Sequence, residues 1–225
     1  MPQTDYTLNT IIGRVRRKLD DDDYPAEVIT EFVNDTQEEI FNTYELPFNQ
    51  TTFSGTLSEG EHRFNFVNTA PDYQRVVSLR ITGPDKQYYD ISDKYMNYRD
   101  FRKQYPVPEN NQANSPSNWT TYGFTIIFSQ PTDKDYVMDM DYLKEAERIT
   151  DEGVSPELPQ TWQEVIVLGA WIRALERNDD NDLAEYHRSK RGGYLDQMQG
   201  LANRYNPAQT ASTTIMRNSR RKRGR

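Results

Sequence analysis

Residues that could carry chemistry are few in this chain, and their spacing is poor. There are two histidines and no cysteine among 225 residues, so disulfides and thiolate chemistry are excluded. His62 stands between Glu61 and Arg63 in an expected strand, and His187 precedes Arg188 in an expected helix. Neither has neighbours at metal-ligand spacing, and both read as solvated surface side chains. The stretch "DDDDYPAEVITE" puts Asp20, Asp22 and Glu31 at the first, third and twelfth places of a calcium loop. Tyr24 and Pro25 then occupy the fifth place and the turn glycine's place, which breaks the pattern. Asp22 or Asp23 as a helix cap is the expected role. Asp139 and Asp141 share one face of an expected strand, as a glycosidase pair would, but their polar surroundings indicate an exposed face. "NDDND" at 178–182 reads as a helix stop followed by a cap. "GGY" at 192–194 lacks a phosphate-loop lysine, and no G-x-S-x-G elbow is present. The residues thus supply no catalytic centre, no cofactor site and no metal site. A binding or assembly protein is expected, with a small hydrolase using an unrecognised site as a further alternative.

The densest charge lies at the end of the chain. "IMRNSRRKRGR" holds Arg217, Arg220, Arg221, Lys222, Arg223 and Arg225 and no acid, in a protein of net charge −8. Without those six cations the remainder stands at −14. So acidic a body repels phosphate, which supplies most of the general affinity for nucleic acid. Three readings of the tail stay open on composition alone: a solvated cluster, a nucleic-acid-binding arm, or an arm that docks on an acidic protein surface. "NPAQTASTT" adds about ten residues of reach, roughly 30 Å when extended. Ile215 and Met216 offer an apolar anchor just before the cations.

Hydrophobic residues are only 35% of the chain, offset by 15 Tyr, 9 Phe and 3 Trp; these aromatics bring large contact areas with a polar edge. A helix is expected over 7–19, with Leu8, Ile11, Ile12, Val15 and Leu19 on one face. A second runs to about Tyr44, striped by Ile29, Phe32, Val33, Ile40 and Phe41. From 47 to 144 short β-branched and aromatic runs alternate with Gly, Pro, Asn and Asp and read as strands. "YVMDMDY" sets Val137, Asp139 and Asp141 against Met138, Met140 and Tyr142. A short helix is expected near 95–103 and a loop over 105–119. Helices resume near 159. Trp162, Val165, Ile166, Gly169, Ile172 and Leu175 share a face, with Gly169 admitting a close neighbour. A last helix over 180–204 has Leu183, Tyr186, Tyr194, Leu195, Met198 and Leu201 on its expected buried side, and a kink or tight contact at Gly192 and Gly193. Trp162 and Phe32 are expected to be deeply buried, and the Tyr-rich strands to be covered by neighbouring subunits. No apolar run reaches the roughly 20 residues of a membrane helix, and "MPQTDYTLNT" has no signal-peptide pattern, so a soluble protein made in the cytoplasm is expected.

The resulting class is α+β: a helical bundle from 1–46 and 150–205, an inserted, mainly antiparallel β region at 47–149, and an extended basic arm at 206–225. The helices carry a family likeness. "LNTIIGRVRRKLDDDDYPAEVITEFVNDTQEEIF" at 8–41 and "ELPQTWQEVIVLGAWIRALERNDDNDLAEYHRSKRGGYLDQM" at 157–198 resemble the head-to-tail adaptor (connector) proteins of tailed bacteriophages. That family opens with a helix of this kind and an Asn-containing helix like "FVNDTQEEI". It closes with a Trp-containing helix like "PQTWQEVIVLGA" and an Arg-, Asp- and Tyr-rich helix. The resemblance implies a structural virion protein rather than an enzyme, in a ring (usually a dodecamer of this chain) beneath the portal protein. It implies a tail tube or nozzle protein below, and double-stranded DNA passing without specific binding. It also assigns the arm, Ile215, Met216 and the six cations, to the portal. The competing function is a nucleic-acid-binding accessory protein that uses the same tail.

Overall fold

A computed structural model of the chain describes residues 6–205, with side chains through Gly200. It is α+β, with five α-helices and two antiparallel sheets among the described residues. Contacts divide the chain into two units, Gln50–Lys144 and the segments on either side of it.

The helical unit contains α1 (Leu8–Leu19), α2 (Ala26–Thr43), α4 (Gln163–Arg177) and α5 (Asn181–Tyr205). Thr7 caps α1 by accepting from the amide of Thr10. Arg16, Arg17 and Lys18 crowd its last turn, where cations favour the helix dipole. The turn into α2 differs from the expectation. Neither Asp22 nor Asp23 caps α2, whose N-cap is Pro25 with no side-chain bond. Asp20 instead ends α1 in the left-handed conformation. The Arg16 guanidinium grips the Tyr24 carbonyl at 2.7 and 2.9 Å, and Asp21 accepts from the amide of Asp23. These bonds order the turn.

Helix α4 is the centre of the unit. It packs on α1, α2 and α5, and so buries residues round its whole circumference from Val165 to Ile172. That explains why "VIVLGAWI" has no polar side. The core joins Leu8, Ile11, Ile12 and Val15 of α1 to Ile29, Val33, Ile40 and Phe41 of α2, with Leu195 and Met198 of α5. Phe32 and Trp162 pack only at its margin and are half-buried; the deeply placed tryptophan is Trp171. On α5, Leu195 and Met198 are buried as expected, but Leu183 is 39% and Tyr186 67% exposed. The first turns of α5 do meet α4, but through Ala184, which is buried, and His187, which lies against Trp171, so Leu183 and Tyr186 are turned away from it. Gly192 and Gly193 interrupt nothing, since the helix is continuous and an added Cβ at either would meet no atom within 4 Å. Asp180 caps α5 through the amide of Leu183, as the "NDDND" pattern predicts.

The β unit has its own core. One sheet is ordered β1 (Gln50–Leu57), β7 (Tyr136–Lys144), β3 (Tyr73–Thr82), β4 (Tyr88–Asp90). The other is ordered β2 (Arg63–Asn65), β6 (Thr125–Phe128), β5 (Trp119–Tyr122). Strand β7 alternates as its sequence predicts, with Tyr136, Met138, Met140 and Tyr142 buried and Val137 exposed. Those four join Leu57, Phe66, Leu79, Ile81, Trp119 and Phe128 in the interior, so the strands do not depend on a neighbouring subunit for a core. The stretch expected as a loop over 105–119 contains a short 3-10 turn at Pro108–Asn110 and gives its last residue to β5. Helix α3 (Tyr98–Gln104) lies against β5 through Phe101, which is fully buried.

Candidate functional site

Three polar constellations remain once the cores are assigned. The first is built where α2 crosses α4. Gly169 makes the crossing possible, because a Cβ there would lie 2.3 Å from Cγ2 and 2.8 Å from Oγ1 of Thr36. Thr36 is fixed in turn by donating to the Phe32 carbonyl at 2.7 Å. Beside this contact, Arg191 of α5 is 93% buried, its Nη1 bonded to both Glu39 oxygens at 3.1 and 3.2 Å. Arg173 meets the same carboxylate at 3.1 Å. Arg188 pairs with Glu176 and Glu185. These groups line an open cleft of about 310 Å³. Each of its guanidinium groups meets a carboxylate, although Nε and Nη2 of Arg191 are buried without a bond partner, and neither a histidine nor a hydroxyl lines it. Its evident role is to fix α5 against α2 and α4. Two α2 side chains complete the clasp. Asn34 exchanges bonds with the Ile149 backbone at 2.7 and 2.9 Å, and Gln37 bridges the Glu147 carbonyl and the Glu157 amide.

The second constellation is the polar face of β7. Asp141 accepts from Thr52 and Ser78 at 2.6 Å each and from Arg80 at 2.9 Å, while Asp139 accepts from Ser54. The carboxylates are thereby committed to bonds between strands and are half-buried rather than exposed. Neither faces its partner across a pocket as an acid and base would.

The third is on α3. Tyr98 lies one turn before buried Phe101 on the same side of the helix, while Arg99, Arg102 and Lys103 are turned away from it, and all four are exposed. Tyr98 stacks on Tyr122 of β5 with ring centroids 4.6 Å apart, and Tyr122 is 63% exposed. Tyr95, half exposed, stands edge-on to Trp119 at 5.0 Å. Lys103 pairs with Asp100, but Arg99 and Arg102 have no ion-pair partner among the described residues. The pattern was visible in "KYMNYRDFRKQY" as aromatic and basic residues interleaved, yet nothing in one dimension shows that Tyr122 completes the surface. Glu39, Arg173 and Arg191 are likewise distant in sequence, and only the packing of three helices brings them together.

The histidines are less solvated than expected. His187 lies tilted against the Trp171 ring, centroids 4.0 Å apart, with Nδ1 buried and unbonded. Burial first, then Lys190 and Lys18, holds its pKa below the ordinary value. His62 Nε2 accepts from Arg63 Nε at 3.0 Å, and burial, then Arg63, lowers its pKa against the opposing pull of Glu109. Among the described residues no group of three or more His, Cys, Asp or Glu is placed to hold a metal ion, and no helix is long and apolar enough to cross a membrane. The arm residues, Ile215, Met216, Arg217, Arg220, Arg221, Lys222, Arg223 and Arg225, lie outside the described residues.

Compared with known families, residues 6–215 match the model of the SU10 adaptor protein. The match spans both units and stops at Ile215, before the six cations. No curated protein matches the chain.

Proposed function

This chain belongs to the SU10 adaptor protein family, a family of phage adaptors, and on that premise we propose that it forms a ring beneath the portal that joins capsid to tail. The observation that carries the reading is the match itself, which takes in the helical unit and the β unit together. In this reading the helices of 1–46 and 150–205 supply the body of the joint, and the β region 47–149 supplies contacts to neighbours and to a tail tube or nozzle protein. The arm, 206–225, docks on the portal. Ile215 and Met216 seat first in an apolar groove, and the six cations then engage acidic side chains. Each arm alone binds weakly, because exposed ion pairs contribute only about 0–1 kcal/mol apiece. A ring multiplies such contacts into a durable joint. The −14 body suits a passage through which double-stranded DNA slides, since it repels phosphate.

The test uses the full chain with Arg217, Arg220, Arg221, Lys222, Arg223 and Arg225 all changed to neutral residues. Added to portal-bearing heads, this variant should fail to co-sediment where the parent binds, with an unchanged circular dichroism spectrum. Binding at the parent's level would refute the arm's role. Salt-sensitive retention of duplex DNA by the parent, lost in the variant while head binding persists, would favour the nucleic-acid-binding alternative.

A further inference from the structure

We propose that the exposed α3 surface, Arg99 and Arg102 with Tyr98 and Tyr122, is a subunit contact that receives the Asp20–Asp23 turn of the adjacent copy. The inference rests on the ring reading and gives that ring its side-to-side contact. A closed ring of more than two copies is built from heterologous contacts, in which one surface of a subunit meets a different surface of the next. Copies of a protein at −8 repel one another, so such a contact needs a local reversal of charge.

Both halves of that reversal are present. The α3 surface combines two unpaired arginines with a stacked tyrosine pair, the residue types enriched at the centres of protein interfaces. Phe101 and the α3 packing on β5 hold it rigid. The Asp20–Asp23 turn presents four successive aspartates, all exposed and none in an ion pair with a described cation. It is pre-ordered by the left-handed Asp20, by the bond between Asp21 and the Asp23 amide, and by the Arg16 grip on Tyr24, so little conformational freedom is lost on docking. Some exposed carboxylates elsewhere are matched within the chain, such as Glu38 with Arg148 and Asp85 with Lys134, and no other segment sets four acids in succession. The planar fork of arginine suits a carboxylate, and a row of aspartates offers one to each of Arg99 and Arg102.

The absence of cysteine allows a direct test. A full-length Arg102→Cys, Asp22→Cys variant, bound to portal-bearing heads and oxidised, should give a ladder of interchain disulfide multimers on a non-reducing gel. Both sites are exposed, so the fold should tolerate the changes. Without cysteines, Arg99→Glu with Arg102→Glu should lower uptake by heads about tenfold or more, equivalent to about 1.4 kcal/mol. Adding Asp21→Lys and Asp22→Lys to the same chain should restore most of it. Heads that take up the cysteine variant but yield only monomers, or an intrachain link, overturn the contact while leaving the ring reading intact. Reversals that abolish duplex DNA retention and spare uptake also overturn it, by assigning the surface to nucleic acid. Heads that take up none of the parent protein overturn the ring reading, and this contact with it.

Discussion

Replacing Gly169 with alanine should destabilise the protein, although the intrinsic preference of the helix runs the other way. Alanine is favoured over glycine in a helix interior by about 1 kcal/mol. Against this, the new methyl carbon would sit 2.3 Å from Thr36 Cγ2 and 2.8 Å from its Oγ1. Ordinary carbon contacts lie at about 3.5–4.0 Å, so α2 and α4 must separate by roughly 1 Å or Thr36 must turn. Thr36 is fully buried and bonded to Phe32, which makes turning costly. Overpacking of this kind costs up to about 3 kcal/mol, so the net loss should be about 2 kcal/mol. For a chain of this size that lowers Tm by about 4–8 °C. Urea denaturation followed by circular dichroism would measure it. Thr36→Ala removes both clashing atoms. Gly169→Ala combined with Thr36→Ala should therefore lose less than the sum of the single changes, by about 1–3 kcal/mol. A Gly169→Ala protein as stable as its parent, or single losses that simply add, would show that the two helices do not cross as closely as described.

Two further outcomes follow from the same unit. Asn34→Leu keeps a similar volume but leaves the Ile149 amide and carbonyl without their side-chain partner; at about 1–3 kcal/mol per buried unsatisfied group, the urea midpoint should fall well below that of an exposed control such as Glu31→Leu, and equal midpoints would contradict the clasp. His187 has its pKa lowered in the fold, so near and below the unfolded value of about 6.5 the unfolded chain binds more protons. Stability is then fully present above that value and is lost as pH falls through the folded pKa. His62 acts in the same direction. His187→Phe retains a ring against Trp171 and should reduce the drop in urea midpoint between pH 7.5 and pH 5.5; an unchanged drop would remove His187 from the cause. Asp85, Asp90 and Asp100 have pKa values lowered below the usual carboxylate range and so titrate beneath that window.

What the sequence determines about this protein is local and periodic. The spacing of Leu8, Ile11, Ile12 and Val15 is enough to place α1, and the alternation of Met138, Met140 and Tyr142 is enough to place β7, because side-chain direction repeats with the backbone. Asp180 after a helix stop marks a cap for the same short-range reason. Gly169 among large apolar residues announces a close neighbour, though only the fold names Thr36 as that neighbour. Which side of an element is covered is a different matter. Leu183 and Tyr186 continue the apolar pattern of α5 but stay exposed, because the residues turned toward α4 in those turns are Ala184 and His187. The same holds for Phe32 and Trp162 at the margin of the core, with Trp171 inside it. Asp22 and Asp23 fail as caps because the Arg16 grip on Tyr24 sets the path of that turn. The arginine cleft and the α3 surface each join residues from separate segments, Glu39 with Arg173 and Arg191, Tyr98 with Tyr122. Tertiary packing alone decides such groupings, since ion pairs and ring stacks form wherever the folded chain brings side chains within a few ångströms of one another, at whatever separation in sequence.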